Sequence, residues 1–497
     1  MSGRPLRILI MAAEMVPYVK TGQVADVIAS LAAALRRLGH DARMALPRYS
    51  HIDIERAGLR RIIEGLQVPM DPRALHGDVY IGTAPSGVPV YFIDNPRYFG
   101  QESLSTYIED AEPFVFYCRA TTEMLKRPEI DWQPDLVHCH DWQTALVPNW
   151  LATIYGDDPS LEQVASVFTI HRLSHQGIFG YRVLEAAGLE EYGYLTHAAI
   201  SDLDEMVDLL ARGIYYADAI TTVSETYARE IQTPEYGERL DPLLRDLSGR
   251  LFGILNGIDD EAYNPADDGR ITARFDADSL EARAANKTAL QRMLGLAVAP
   301  DAPLIGMVSR LTDIKGFDLL TDMLDVAMEN LNIQLAILGV GDPRYHELLG
   351  DYARRYPGRI GLQLTFNDAI ERHIYAGSDM FLMPSRVEPC GLGHMLAMRY
   401  GSVPIVHATG GLADTVTDFD PTGGTGHGFS FVRYDAMALY TTLVRAVEAY
   451  RYRSAWQELQ RRCMSRDFSW GTSAAKYVEV YRWALDRHLH HERPSFE

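Results

Sequence analysis

Leu6 to Ala13 is an almost unbroken apolar run, and apolar residues then recur at Val24, Val27, Ile28, Leu31, Leu35 and Leu38. The unbroken run suits a strand covered on both faces of a parallel sheet. The three-and-four spacing lines one face of a helix. Gly39 punctuates that helix, and Ala42 to Pro47 returns as a strand. The alternation recurs at Leu136 to His140, Ser166 to His171 and Ala219 to Ser224, which predicts a doubly wound α/β domain in the first half. A second series starts beyond the acidic, alanine-rich stretch Asp267 to Lys287, with strands at Leu304 to Ser309, Gln334 to Leu338, Gly361 to Thr365, Met380 to Met383 and Val403 to Val406. The pattern therefore predicts an α/β chain with Rossmann-like domains at 1–255 and 256–470, and a terminal helix in 471–497 packing back across both. Open α/β sheets bind ligands outside the carboxyl ends of their strands, so two such domains facing each other make a cleft.

Composition narrows the chemistry. The 497 residues hold 47% hydrophobic and 23% charged side chains, the balance of an ordinary globular protein. Lys plus Arg number 47 against 67 Asp plus Glu, and the resulting net charge of −20 opposes general binding to nucleic acid or anionic membranes. No stretch has the roughly 20 apolar residues of a membrane span, and Met1-Ser2-Gly3-Arg4-Pro5 leads straight into a strand, so a cytoplasmic location is expected. Cys118, Cys139, Cys390 and Cys463 are widely spaced and read as reduced, buried thiols. The tail cluster His488, His490 and His491 reads as solvated. The triplets Asp202-Leu203-Asp204, Asp276-Ala277-Asp278 and Asp418-Phe419-Asp420 read as caps and loops, and no metal or cofactor is expected.

Three strand ends carry compatible chemistry. Met380 to Met383 stops at Pro384-Ser385-Arg386 and is followed by Glu388-Pro389-Cys390-Gly391-Leu392-Gly393, a tight turn opening a helix. Glycines let the backbone approach a ligand, and a helix start attracts phosphate oxygens. An ionised acid at Glu388 suits a sugar hydroxyl beside them. A lone turn of this kind is equally a structural connection with an exposed acid. Strand one is followed by Lys20-Thr21-Gly22, and strand Leu304 to Ser309 by Arg310 and Lys315-Gly316. Each cation alone reads as a solvated surface charge; together they fit a diphosphate leaving group held by fixed positive charge. Gly339-Val340-Gly341 needs no more than a turn.

These residues, with His140-Asp141-Trp142-Gln143-Thr144-Ala145-Leu146, Phe168-Thr169-Ile170-His171, Leu255-Asn256-Gly257-Ile258-Asp259, Ser309-Arg310-Leu311-Thr312 and Thr409-Gly410-Gly411-Leu412-Ala413-Asp414-Thr415, resemble bacterial glycogen synthase and plant starch synthase. The resemblance runs in order from Arg7 to Trp483. It implies a GT-B fold and retaining transfer of glucose from ADP-glucose or UDP-glucose to an α-1,4-glucan. By the same resemblance, Arg310 and Lys315 hold the diphosphate, and Lys20 and Gly22 face it from the N-terminal domain. His171, Asn256 and Glu388 bind glucose; Cys390, Gly391, Leu392 and Gly393 line the donor turn; Phe366 stacks on the base; Asp141 and Trp142 lie on the acceptor side. Against the family pattern, Gln23 and Arg172 stand where glycine and asparagine are expected. Ile314, His394 and His407 also depart from it, as do Gly100-Gln101 and Pro113. Three readings stay open: an active glucan synthase, a retaining transferase with another donor or acceptor, and a catalytically silent glucan-binding or regulatory paralogue.

Overall fold

The computed structural model describes residues 3–71, 73–100, 110–195, 206–365 and 367–490. Phe366, Gln101 and the triplet Asp202-Leu203-Asp204 lie outside them. The chain divides into two compact units, one of residues 1–257 with 470–497 and one of residues 258–469.

The first unit carries β1 (Arg7–Met11), β2 (Asp41–Pro47), β3 (Arg60–Val68), β4 (Leu75–Thr83), β5 (Pro89–Asp94), β6 (Leu136–His140), β7 (Ala165–Ile170), the short β8 (Ile178–Gly180) and β9 (Met206–Asp208), β10 (Ala219–Thr222) and β11 (Leu251–Gly253). Nine of them form one sheet in the order β11-β10-β7-β6-β1-β2-β5-β4-β3. Its pairs are parallel except β3 with β4 and β4 with β5. Ile8, Leu9 and Ile10 of β1 are fully buried, as an apolar run covered on both faces requires. The helix Val24–Arg37 buries Val27, Ile28, Leu31 and Leu35, the stripe expected from spacing. Strand order reverses at β1, whose neighbours are β2 on one side and β6 on the other.

The antiparallel extension β3 to β5 was not anticipated from the pattern. In β3 the exposure alternates only in part, and the pairing register with β4 shifts twice, between Arg61 and Ile63 and between Ile63 and Leu66. Each bulge puts the alternation out of phase, so a period-two reading fails there. Gly65 has a φ of 62° within this segment.

The terminal helix Trp470–His490 belongs to the first unit and packs on the helix Val24–Arg37 and on β7 and β10. It was expected to lie across both domains. Its buried face of Ala474, Tyr477, Tyr481 and Ala484 is sealed within the first unit, where the Tyr481 hydroxyl lies 2.8 Å from His138 Nδ1 and His488 meets Asp218 at 3.1 Å.

The second unit carries β12 (Leu304–Val308), β13 (Gln334–Leu338), β14 (Ile360–Gln363), β15 (Met380–Met383), β16 (Val403–His407) and β17 (Phe429–Phe431) in the order β14-β13-β12-β15-β16-β17, all parallel. The order reverses at β12, between β13 and β15. Both units are thus Rossmann-like, each with one switch point. Among the described residues no helix is long and apolar enough to cross a membrane. Asp276 caps the turn to Ser279, and Asp418 accepts from Ser430 N–H and pairs with Arg445, as caps and loops do.

Candidate active site

In the second unit the residues singled out from sequence gather at the β12/β15 switch point. Arg310 lies exposed at the end of β12, and the turn Asp313–Lys315 follows it. Lys315 Nζ lies 2.5 Å from Glu388 Oε2, and Ser385 Oγ donates to the same oxygen at 2.9 Å. Glu388 is 6% exposed. Burial alone would raise its carboxyl, but the Lys315 ammonium, with Ser385 and nearby His394, outweighs that and holds it below the usual range. The carboxylate is therefore ionised and fixed. Its other oxygen remains an acceptor for a diol.

Backbone packing brings these side chains together. Gly316 has a φ of 81°, and a Cβ there would lie 2.1 Å from the Pro384 carbonyl oxygen, so only glycine lets the Lys315 turn seat against the end of β15. Gly410, at a φ of 45°, packs as closely on the Glu388 carbonyl. Gly411 N–H donates to that carbonyl at 3.1 Å. Cys390 is buried, while Leu392 and Gly393 are partly open at the start of the helix Gly393–Arg399, whose N-cap makes no side-chain hydrogen bond. His407 braces the turn from behind, its ring nitrogens 2.8 Å from Ser385 O and 3.1 Å from Val432 O. His394 Nε2 lies 2.5 Å from Thr415 Oγ1. Ile314 is exposed.

In the first unit, an open recess lies at the β1/β6 switch point, bordered by Glu14, Thr21, Phe114, His140, Asp141 and Gln143. The Glu14 carboxylate accepts from Thr21 N–H at 2.5 Å, Thr21 Oγ1 at 2.7 Å and Gly22 N–H at 3.1 Å. The amides expected to face phosphate thus meet an internal carboxylate. Lys20, over half exposed, pairs with Asp26 at 2.8 Å. Gln23 is the exposed N-cap of the helix Val24–Arg37. Asn256, 6% exposed, has an Oδ1 without a partner among the described residues.

Asp141 closes β6 in a strained conformation, with φ 55°. Its Oδ1 accepts from His171 N–H at 2.9 Å. Burial raises its carboxyl, opposed by His171 and His175. Trp142 is 4% exposed and packs edge-on against Phe114 at 5.3 Å, so its indole is enclosed in packing. His171 Nε2 lies 3.0 Å from His140 Nδ1. Arg172 is half-buried, acts on the Tyr227 hydroxyl, and has no ion-pair partner among the described residues. Pro113 sits in the first turn of the helix Glu112–Leu125, where its missing N–H costs nothing. Sequence reasoning missed Glu14, His140 and Ser385. Each sits within or beside a quoted motif, but its partner is fixed only by the fold.

The buried histidines give a pH prediction. Burial lowers His138 to about 3 and His394 to about 4, and lowers His140 and His171 as well. The unfolded chain protonates these rings near 6.5 while the folded chain does not, so stability is full above about 6.5 and falls as pH drops toward 3. Urea unfolding at pH 7.5, 6 and 5 should show this decline, with a shallower slope in His394→Gln.

Residues 7–246 match the family model described as the starch synthase catalytic domain, and residues 295–462 match that of glycosyl transferases group 1. A glycogen synthase of Desulforudis audaxviator is 43% identical over 498 residues, spanning 98% of each chain. One from Moorella thermoacetica is 43% identical over 487 residues, spanning 97% of this chain and 98% of its own. The solved catalytic domain of Starch Synthase IV from Arabidopsis thaliana, bound to ADP and acarbose, is similar with a TM-score of 0.86 at 34% identity, covering 97% of this chain and 100% of that one.

Proposed function

The chain belongs to the glycogen synthase and starch synthase family of glucosyltransferases, with its GT-B fold, and on that premise we propose that it transfers glucose from ADP-glucose to the non-reducing end of an α-1,4-glucan with retention of configuration. The observation that carries the reading is the Lys315–Glu388 pair at the β12/β15 switch point, a partly buried cation and a buried, ionised acceptor 2.5 Å apart. ADP as the leaving group is supported by the ADP-bound starch synthase that the chain resembles.

In this reading Arg310 and Lys315 neutralise charge on the departing diphosphate while the anomeric carbon becomes cation-like. The bond from C1 to the phosphate oxygen breaks, and a bond from C1 to the acceptor hydroxyl oxygen forms on the same face. The hydroxyl proton passes to the leaving phosphate oxygen. Glu388 is a poor nucleophile for a covalent intermediate, because one of its oxygens already serves Lys315 and Ser385. It acts instead as an acceptor for glucose hydroxyls. No metal or other cofactor enters this scheme.

Arg172 favours a second reading. A half-buried guanidinium beside His171, unpaired among the described residues, suits an anionic group on donor or acceptor better than a neutral diol. The test is nucleotide release from ADP-glucose, UDP-glucose and UDP-glucuronate, with and without glycogen. Glycogen-dependent release of ADP is expected, with UDP-glucose slower. Preference for the glucuronate would favour the second reading, and glycogen binding without release from any donor would mark a silent paralogue. In the same assay Gln23→Gly should change kcat/KM on ADP-glucose and glycogen less than threefold, since the Gln23 side chain is exposed.

A further inference from the structure

Three histidines lie together in the first unit, and one of them, His171, is the residue expected to bind the sugar. His138 is completely buried, with Nδ1 at 2.8 Å from Tyr481 Oη and Nε2 at 2.6 Å from Thr169 Oγ1. Both its nitrogens are committed. Its ring lies against that of His140, with centroids 4.0 Å apart. His140 is 2% exposed; its Nδ1 faces His171 Nε2 at 3.0 Å, and its Nε2 is buried with no hydrogen-bond partner among the described residues.

A neutral imidazole has one N–H and one lone pair, so the contact between His140 and His171 has two possible protonation patterns. If His171 donates from Nε2, His140 must carry its own proton on Nε2, where a buried N–H has nothing to bond. If His140 donates from Nδ1, the unpartnered atom is a lone pair. Orphaned buried N–H groups are the rarer of the two. We propose that His140 is a positioning residue: it donates its Nδ1 proton to His171 Nε2 and so locks His171 in the tautomer whose proton is on Nδ1. No described residue takes that Nδ1, so His171 presents a hydrogen-bond donor to its ligand, matched to an oxygen lone pair of a sugar or phosphate. A locked donor cannot also act as a general base.

The surrounding charges are consistent with two neutral rings. Burial disfavours protonation of both. Asp141 and Glu14 favour the protonated form of His171, whereas His138 and His171 disfavour that of His140. Tyr481 from the terminal helix and Thr169 of β7 hold His138 so that its ring backs His140.

The proposal assigns a protonation state within the functional reading above, and it is testable without activity. In the ligand-free protein labelled with 15N-histidine, the His171 resonances, assigned by their loss in His171→Asn, should report the Nδ1–H tautomer. His140→Asn places an amide donor near the Nδ1 position and should keep that tautomer, with kcat/KM within about threefold of wild type. His140→Asp places only an acceptor there. It should move the His171 proton to Nε2, raise the acid limb of the pH profile through the added carboxylate, and lower kcat/KM about tenfold, on the scale of one lost hydrogen bond. Wild-type His171 with its proton on Nε2 would overturn the proposal, as would equal kinetics in folded His140→Asn and His140→Asp. Should His140→Asp not fold, the wild-type tautomer and the Asn variant still decide. An Nδ1–H tautomer in a protein that transfers glucose from no donor would sink the functional reading and leave this one standing.

Discussion

Lys315→Ala is expected to lower turnover at saturating ADP-glucose by about 100-fold or more, the usual cost of removing one preorganised charge-stabilising donor. The loss has two parts. The leaving diphosphate loses a fixed cation, and Glu388 is left as a buried carboxylate without the group that keeps it ionised. A protonated Glu388 would offer a glucose diol a donor where an acceptor is needed. Arg310→Ala should cost turnover on the same scale but leave the Glu388 environment intact, so the two variants should differ in pH dependence. Stopped-time assays of ADP release at saturating donor check both. More than half of wild-type turnover in either variant would remove that residue from the diphosphate.

The largest effect on stability is expected at Lys287, far from any quoted motif. Its ammonium meets Asp379 Oδ2 at 2.7 Å, the Ala302 and Pro300 carbonyls at 2.7 and 2.9 Å, and Tyr450 Oη at 3.1 Å. Asp379 Oδ2 also accepts from Leu304 N–H at 2.9 Å. Lys287→Met keeps most of the side-chain volume but strands a buried carboxylate at the start of β12 and β15, which should cost about 3–5 kcal/mol. Adding Asp379→Asn should recover much of that loss, because the amide can still accept from Leu304. Urea midpoints of wild type, both single variants and the double variant give the coupling. A Lys287→Met protein as stable as wild type would mean that water reaches the pair.

What could be read from the chain depended on how local its cause was. The strands at Leu6, Leu136, Leu304 and Met380 were legible because a run buried on both faces leaves an unbroken apolar signature. The extension from Arg60 to Asp94 was not, since its bulges shift the alternation that a one-sided strand shows. Lys315 and Glu388 stood out through glycines and strand ends, and the fold brings the two into contact. Glu14 did not, because its role as acceptor for Thr21 and Gly22 arises from the bend between Met11 and Val24 and leaves no spacing of its own. Lys287 and His140 are of the same kind: each is an ordinary polar residue until a partner distant in sequence, or a burial that only the fold imposes, gives it a task. Trp142 shows the converse, a residue prominent in its motif whose indole is enclosed in packing.

The irregular strand β3 also bears on how this protein behaves in a crowded solution. Nine residues at the rim of a nine-stranded sheet offer a row of unmatched backbone donors and acceptors to any passing chain. Arg60, Arg61 and Glu64 are exposed charges on that strand, and two shifts of register bend it, so a second molecule finds no straight ladder to extend. A smoother, more apolar rim would pair more regularly with β4 and would also invite molecules to join edge to edge into insoluble ribbons. The features that hid this strand from a period-two reading are therefore the ones that work against edge-to-edge pairing.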